Sequence, residues 1–191
     1  MTRQRFLVVA ATEAEAAYVP DQLPLVVTGL GKTAAAVGTA RALAGADLES
    51  LTVVNVGTAG ALRAGLSGLH VPGTVLNHDM NAEVIRALGY DPEDMLEIDG
   101  GDSTVLASGD VFVADPAVRD ALARRADLVD MEGYAVAYAC RRFGVPVRLV
   151  KHVSDNADEV ALDWPSRVDR SAQVLGRWLE EHCGHGSGIP T

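Results

Sequence analysis

Hydrophobic positions along this chain fall into short continuous apolar runs, separated by longer stretches in which they recur at helical spacing. Phe6 to Ala11 is an unbroken apolar run, the pattern of a strand buried on both faces. Leu25 to Val27, Leu51 to Val56 and Val71 to Leu76 repeat it. Val105 to Val113 resumes it around an interruption at Ser108-Gly109-Asp110, and Leu128-Val129 and Val145 to Val153 complete the set. Between them the sequence predicts helices over Thr33 to Leu43, Ala82 to Leu88, Pro116 to Arg125, Met131 to Phe143 and Pro165 to His182, with Pro116 at a tolerated first-turn position. Thr12 is placed to cap a short helix carrying Glu13 and Glu15, whereas Gly89 to Asp102 is acidic and loop-like. Alternating strands and helices predict an α/β fold: a single-domain three-layer α/β/α sandwich with a mixed, mainly parallel central sheet. It is expected over residues 1–183, with a disordered tail at 184–191.

Composition narrows the partners. Hydrophobic residues make up 48% and charged residues 22%, an ordinary globular balance. A formal net charge of −10 argues against nucleic acid or anionic membranes as partners, and leaves small molecules open. No apolar stretch reaches the roughly 20 residues needed to span a bilayer. Arg3 and Arg5 precede a strand-like run followed at once by Glu13 and Glu15, so the start reads as a first strand and a cytoplasmic location is expected. Cys140 sits in a helical run as a small core residue and Cys183 near a mobile end; together they give no disulfide framework. His78, His152, His182 and His185 lack metal-site spacing, so neither a metal nor a cofactor is expected.

Candidate chemistry sits where strands end. In open α/β sheets ligands bind at the carboxyl ends of strands, and three carboxylates follow predicted strand ends: Glu15, Glu132 and Asp155. Asp155, in Val153-Ser154-Asp155-Asn156-Ala157-Asp158, is the first candidate for a general acid or base. Asp130 and Glu132 open a helix, where Asp130 can cap orphan amides and Glu132 favours the positive N-terminus; alternatively the two oxygens of Glu132 match a sugar diol. Asn55-Val56-Gly57-Thr58-Ala59-Gly60 is either a tight packing turn or a set of amides and a hydroxyl facing a ligand. Gly29-Leu30-Gly31-Lys32-Thr33 resembles a phosphate loop, but that motif needs a glycine where Val26 stands, so a strand-to-helix turn is the better reading.

Taken in order, these segments resemble the nucleoside phosphorylase/nucleosidase superfamily, most closely the methylthioadenosine/S-adenosylhomocysteine nucleosidases. The resemblance runs through Ala10-Ala11-Thr12-Glu13-Ala14-Glu15, Gly29-Leu30-Gly31-Lys32, Asn55 to Gly60, Ser108-Gly109-Asp110-Val111-Phe112, Asp130-Met131-Glu132 and Val153 to Asp158. It implies a phosphorylase/hydrolase-like fold, usually a homodimer, acting on a small-molecule purine nucleoside. It implies Asp155 as the acid that protonates purine N7, and Glu15 as the residue that orients water. Glu132 would bind ribose hydroxyls, Met131 would pack on the ligand, Phe112 would stack on the base and the Val113 backbone would read its edge. Thr58, with Ala59 and Gly60, would help hold water and ligand, and Ser154 and Lys151 would complete the substrate-binding set.

Hydrolysis is favoured over phosphorolysis on charge. The superfamily's phosphorylases hold phosphate with arginines; here one such position is Asn55, and the loop after the first strand offers Thr12, Glu13 and Glu15. The chain departs from the nucleosidases in carrying Lys151 for arginine, in lacking a β-hairpin before Gly29, and in a short Asn77 to Ser103 segment. A phosphorylase, a futalosine-type nucleosidase and a non-catalytic nucleoside-binding paralogue are the competing readings.

Overall fold

A computed structural model describes residues 4–157 and 164–184. Asp158 and residues 185–191, which hold all but Gly184 of the expected tail, lie outside the described residues. The strands are β1 (Arg5–Ala10), β2 (Leu25–Val27), β3 (Leu51–Ala61), β4 (Leu69–His70), β5 (Pro72–Asn77), β6 (Met95–Glu97), β7 (Asp102–Ser108), β8 (Leu128–Asp130) and β9 (Val147–Asp155). The helices are α1 (Lys32–Ala44), α2 (Ala82–Ala87), α3 (Pro116–Leu122), α4 (Gly133–Phe143) and α5 (Trp164–Cys183).

They build one mixed sheet with helices on both faces, the expected three-layer sandwich. β1 pairs in parallel with β2 and β3, β3 with β9, and β7 with β5 and β8. Antiparallel pairs are confined to β6 on β5, β4 on β9 and the last two residues of β3 on β8. Alternation along β1 and β3 divides the core. Leu7, Val9 and Val53 pack with Ala35 and Leu43 of α1 and Val136 and Cys140 of α4. Val8, Val54 and Val56 point the other way, onto Leu175, Leu179 and Cys183 of α5. Both faces of these strands are therefore covered, which is why apolar residues dominate their sequences with little alternation.

The helices follow their apolar spacing. Ala35, Thr39 and Leu43 form the buried stripe of α1, and Val168, Ala172, Leu175, Leu179 and Cys183 that of α5. Asp115 caps α3 by accepting from the amides of Ala117 and Val118, ahead of Pro116. Gly144, at φ 68°, closes α4 in the left-handed conformation.

The structure differs from the sequence reading in several places. The Gly57-Thr58-Ala59-Gly60 segment is no turn: β3 runs through it for 11 residues. Thr12 to Tyr18 forms hydrogen-bonded turns instead of a helix. β7 stops at Ser108, leaving Gly109 to Val113 as a loop, and the acidic segment contributes β6, a short edge strand on β5. Cys183 is not at a loose end but 2% exposed in the α5 seam.

The α5 seam gives a direct test of the layer assignment. Leu179→Ala, at a fully buried position, should cost about 2–5 kcal/mol in urea unfolding. Val37→Ala, at an exposed position of α1, should stay within about 0.5 kcal/mol.

Candidate active site

The carboxyl ends of β1, β8 and β9 and the final stretch of β3 border one cleft. It is lined by Glu15, Thr58, Ala59, Gly60, Phe112, Val113, Met131, Glu132, Ser154 and Asp155, together with Leu30, Val111, Val129 and Asp130. Ten of the sequence-selected residues are thus brought together from five separate segments of chain. Lys151 is the exception, since it does not line the cleft.

Each carboxylate is held by specific donors. Glu15, 5% exposed, accepts from the Thr58 amide at 2.8 Å and the Thr58 hydroxyl at 2.9 Å through one oxygen, and from the Thr12 hydroxyl at 3.0 Å through the other. Asp155 Oδ1 accepts from the Ala157 amide at 2.9 Å and Oδ2 from the Ser154 hydroxyl at 2.7 Å. Glu132 Oε1 accepts from the Gly31 amide at 2.8 Å. Gly31 is at φ 88°, a conformation that a side chain would strain, and this turns its N–H toward the cleft. The glycine-rich turn therefore serves a carboxylate. Lys32 forms ion pairs with Asp79 and Asp110 and donates to Asn77, pinning the cleft rim.

Small residues in β3 are explained by what lies over them. A Cβ at Gly57 would meet Glu15 Oε1 at 3.2 Å and Lys151 Nζ at 3.3 Å. A Cβ at Gly60 would meet Asp155 Oδ1 at 3.0 Å. The strand is bare so that two carboxylates and an ammonium can lie against it.

Lys151 is 1% exposed, beneath the cleft floor, and its Nζ lies 2.8 Å from Asp130 Oδ2. The resemblance placed it among the substrate-binding residues; in the structure it is paired inside the protein and does not line the cleft. Asp130 also accepts from the Ser108 hydroxyl and the Gly133 amide, and Ser108 Oγ in turn accepts from the Tyr134 amide at 2.8 Å. The helix-capping reading of Asp130 thus holds, but it is also the counter-ion of Lys151. A lysine inside an apolar strand was the sequence signal for such a partner, because a fully buried lysine requires one. Leu30, Val111 and Val129 carried no comparable signal.

Burial, and next the Asp130 charge, push the Glu132 carboxyl up to about 7; Lys151 and the Gly31 amide pull the other way. Burial lowers His78, which packs against Gly109 near Asp79, Lys32 and Asp130.

The cleft and fold can now be set beside known proteins. Residues 102–181 match the phosphorylase superfamily. A 5′-methylthioadenosine/S-adenosylhomocysteine nucleosidase of Glaesserella parasuis is 32% identical over 188 residues, covering 80% of this chain and 78% of that protein. The chain belongs to the phosphorylase superfamily. An aminodeoxyfutalosine nucleosidase of Helicobacter pylori is 31% identical over 148 residues, 65% of this chain; the match spans 64% of that relative's length. Among solved structures, an S-adenosylhomocysteine nucleosidase from Streptococcus pyogenes in complex with 5-methylthiotubericidin has a TM-score of 0.78 at 25% identity, covering 95% of this chain and 98% of that one. A Helicobacter pylori 5′-methylthioadenosine/S-adenosylhomocysteine nucleosidase has a TM-score of 0.81 at 23% identity, with the same two coverages, and supports the fold. In this superfamily member the cleft is carried by the same sheet ends that the sequence pattern selected.

The raised Glu132 carboxyl makes stability depend on pH with a definite sign. From about 4.5, its ordinary value, to about 7, the folded chain holds a proton there that the unfolded chain has released, so stability falls as pH rises through that window. The contribution lost is on the order of 3 kcal/mol. Glu132→Gln should flatten this part of the profile, measured by urea unfolding at about pH 5 and about pH 7.5.

Proposed function

We propose that this chain hydrolyses the N-glycosidic bond of a purine nucleoside, an adenosine-type compound substituted at the 5′ position. The observation that carries this reading is the convergence of Asp155, Glu132 and Glu15, beside Phe112, on one cleft. The relatives named as nucleosidases support the same reaction class.

In this mechanism the base stacks on Phe112, which is 47% exposed at the cleft mouth and has a free face to offer. Asp155 gives its proton to N7 as the C1′–N9 bond breaks, so the bonding pair leaves with a neutral base. Ser154 and the Ala157 amide fix the carboxyl that does this. The ribose hydroxyls donate to Glu132, and Met131 packs against the sugar. Water attacks the developing cation at C1′ and passes its proton to Glu15, whose position is set by Thr58 and Thr12. Ala59 and Gly60 leave room beside Asp155.

Water as nucleophile agrees with the charge of the site. Asn55 is 1% exposed and gives its amide to the Val9 carbonyl, so it offers phosphate no cation, and Glu15 would repel a phosphate dianion. The 5′ group has two candidates, the thioether of methylthioadenosine or S-adenosylhomocysteine and the larger group of a futalosine-type nucleoside. The Helicobacter pylori relative supports the second. A homodimer is supported by the exposed apolar rim of Leu30, Val111 and Phe112, and a cytoplasmic location by two cysteines that remain thiols.

Adenine release from methylthioadenosine, followed spectrophotometrically, tests the assignment. The wild-type chain should release base, and Asp155→Asn should lose at least about 100-fold in turnover while still binding the nucleoside in calorimetry. Wild-type rates in that variant, or no release from any purine nucleoside, would overturn the reading.

A further inference from the structure

Lys151 is the one selected residue that the cleft does not contain, and its surroundings are unusual. Its ammonium is bonded to Asp130 and shares the bare face of Gly57 with Glu15 Oε1. The Glu132 charge also acts on it, so one cation serves three carboxylates from two chain segments, the β8–α4 junction and the loop after β1. Other charges nearby are directed elsewhere. His78 stands beyond Asp130, and Lys32 is occupied by Asp79 and Asp110. His70, the backbone partner of Lys151 on β4, turns to Ser67 and Thr104.

We propose that Lys151, held by Asp130, which Ser108 in turn fixes, is a positioning residue: it holds the Glu132 and Glu15 carboxylates in working order from beneath the cleft without touching the nucleoside. This rests on the nucleosidase reading. The clamp has a rigid base, because Asp130 and Ser108 are the groups that start α4, and the same helix start carries Glu132. A shift of the ammonium therefore moves the charge balance of the ribose-binding carboxylate, whose ionised form supplies the acceptors for a diol. The absence of a side chain at Gly57 also gives the ammonium its space, since a Cβ there would stand 3.3 Å from Lys151 Nζ.

Replacing the cation and replacing its counter-ion should act in opposite directions. Lys151→Met removes the charge that favours ionised Glu132, so the acid limb of kcat/KM should move up by about one pH unit or more, with KM rising more than kcat falls. Asp130→Asn removes a charge that opposes ionisation, so that limb should move down. Lys151→Arg should restore the wild-type profile. If Lys151→Met does not fold, the Asp130→Asn/Lys151→Met double variant removes both buried charges together and provides the comparison with Asp130→Asn. Melting temperature against pH, read without substrate, should show the same opposed shifts, so failure of the nucleosidase reading leaves this test intact. A merely structural lysine would leave in place both the acid limb of kcat/KM and the part of the melting profile that Glu132→Gln abolishes; that result, or a higher KM with an unmoved acid limb, would overturn the proposal.

Discussion

The Lys151–Asp130 ion pair, at 2.8 Å with both side chains 1% exposed, is the constraint around which the cleft is arranged. Burying two charges carries a desolvation penalty of several kcal/mol per ion, offset only when geometry is good and the remaining donors and acceptors are met. Here Asp130 is saturated by Lys151, Ser108 and the Gly133 amide. The pair links β8, β7, β9 and the start of α4, so the sheet ends that carry the cleft residues are fixed relative to one another. Removing either charge alone would leave the other stranded in a dry interior.

The same centre explains local sequence choices that otherwise look unrelated. Gly57 and Gly60 lack side chains at the two positions of β3 against which Glu15, Lys151 and Asp155 lie. Gly31 adopts a positive φ and gives its amide to Glu132. Thr58 donates twice to Glu15, using both backbone and hydroxyl. Small residues and paired donors thus make room for a concentration of negative charge at the mouth of an apolar sheet.

Much of this was legible in the chain. Apolar runs such as Phe6 to Ala11 and Leu51 to Val56 report strands buried on both faces, and that pattern survives inspection without knowledge of partners. Carboxylates placed after such runs identify the cleft. What was hidden depended on contacts distant in sequence. Gly57 to Gly60 looks like a turn until the side chains above it are known, because two glycines flanking small residues carry little intrinsic β preference. β6 is an edge strand on β5, and its three residues, Met95-Leu96-Glu97, are too few to display an alternating pattern within the acidic segment around them. Lys151 was placed at the ligand by the resemblance, at a position where the nucleosidases carry an arginine; its pairing with Asp130, 21 residues earlier in sequence, holds it inside the protein.

The proposed reaction has this charge-lined cleft deliver water, not phosphate, to the anomeric carbon. Product analysis by mass spectrometry after incubating the chain with methylthioadenosine, in matched buffers with and without phosphate, addresses it directly. The account predicts adenine and the free thio-sugar in both buffers at equal rates. Base release that requires phosphate and yields a sugar 1-phosphate would contradict it.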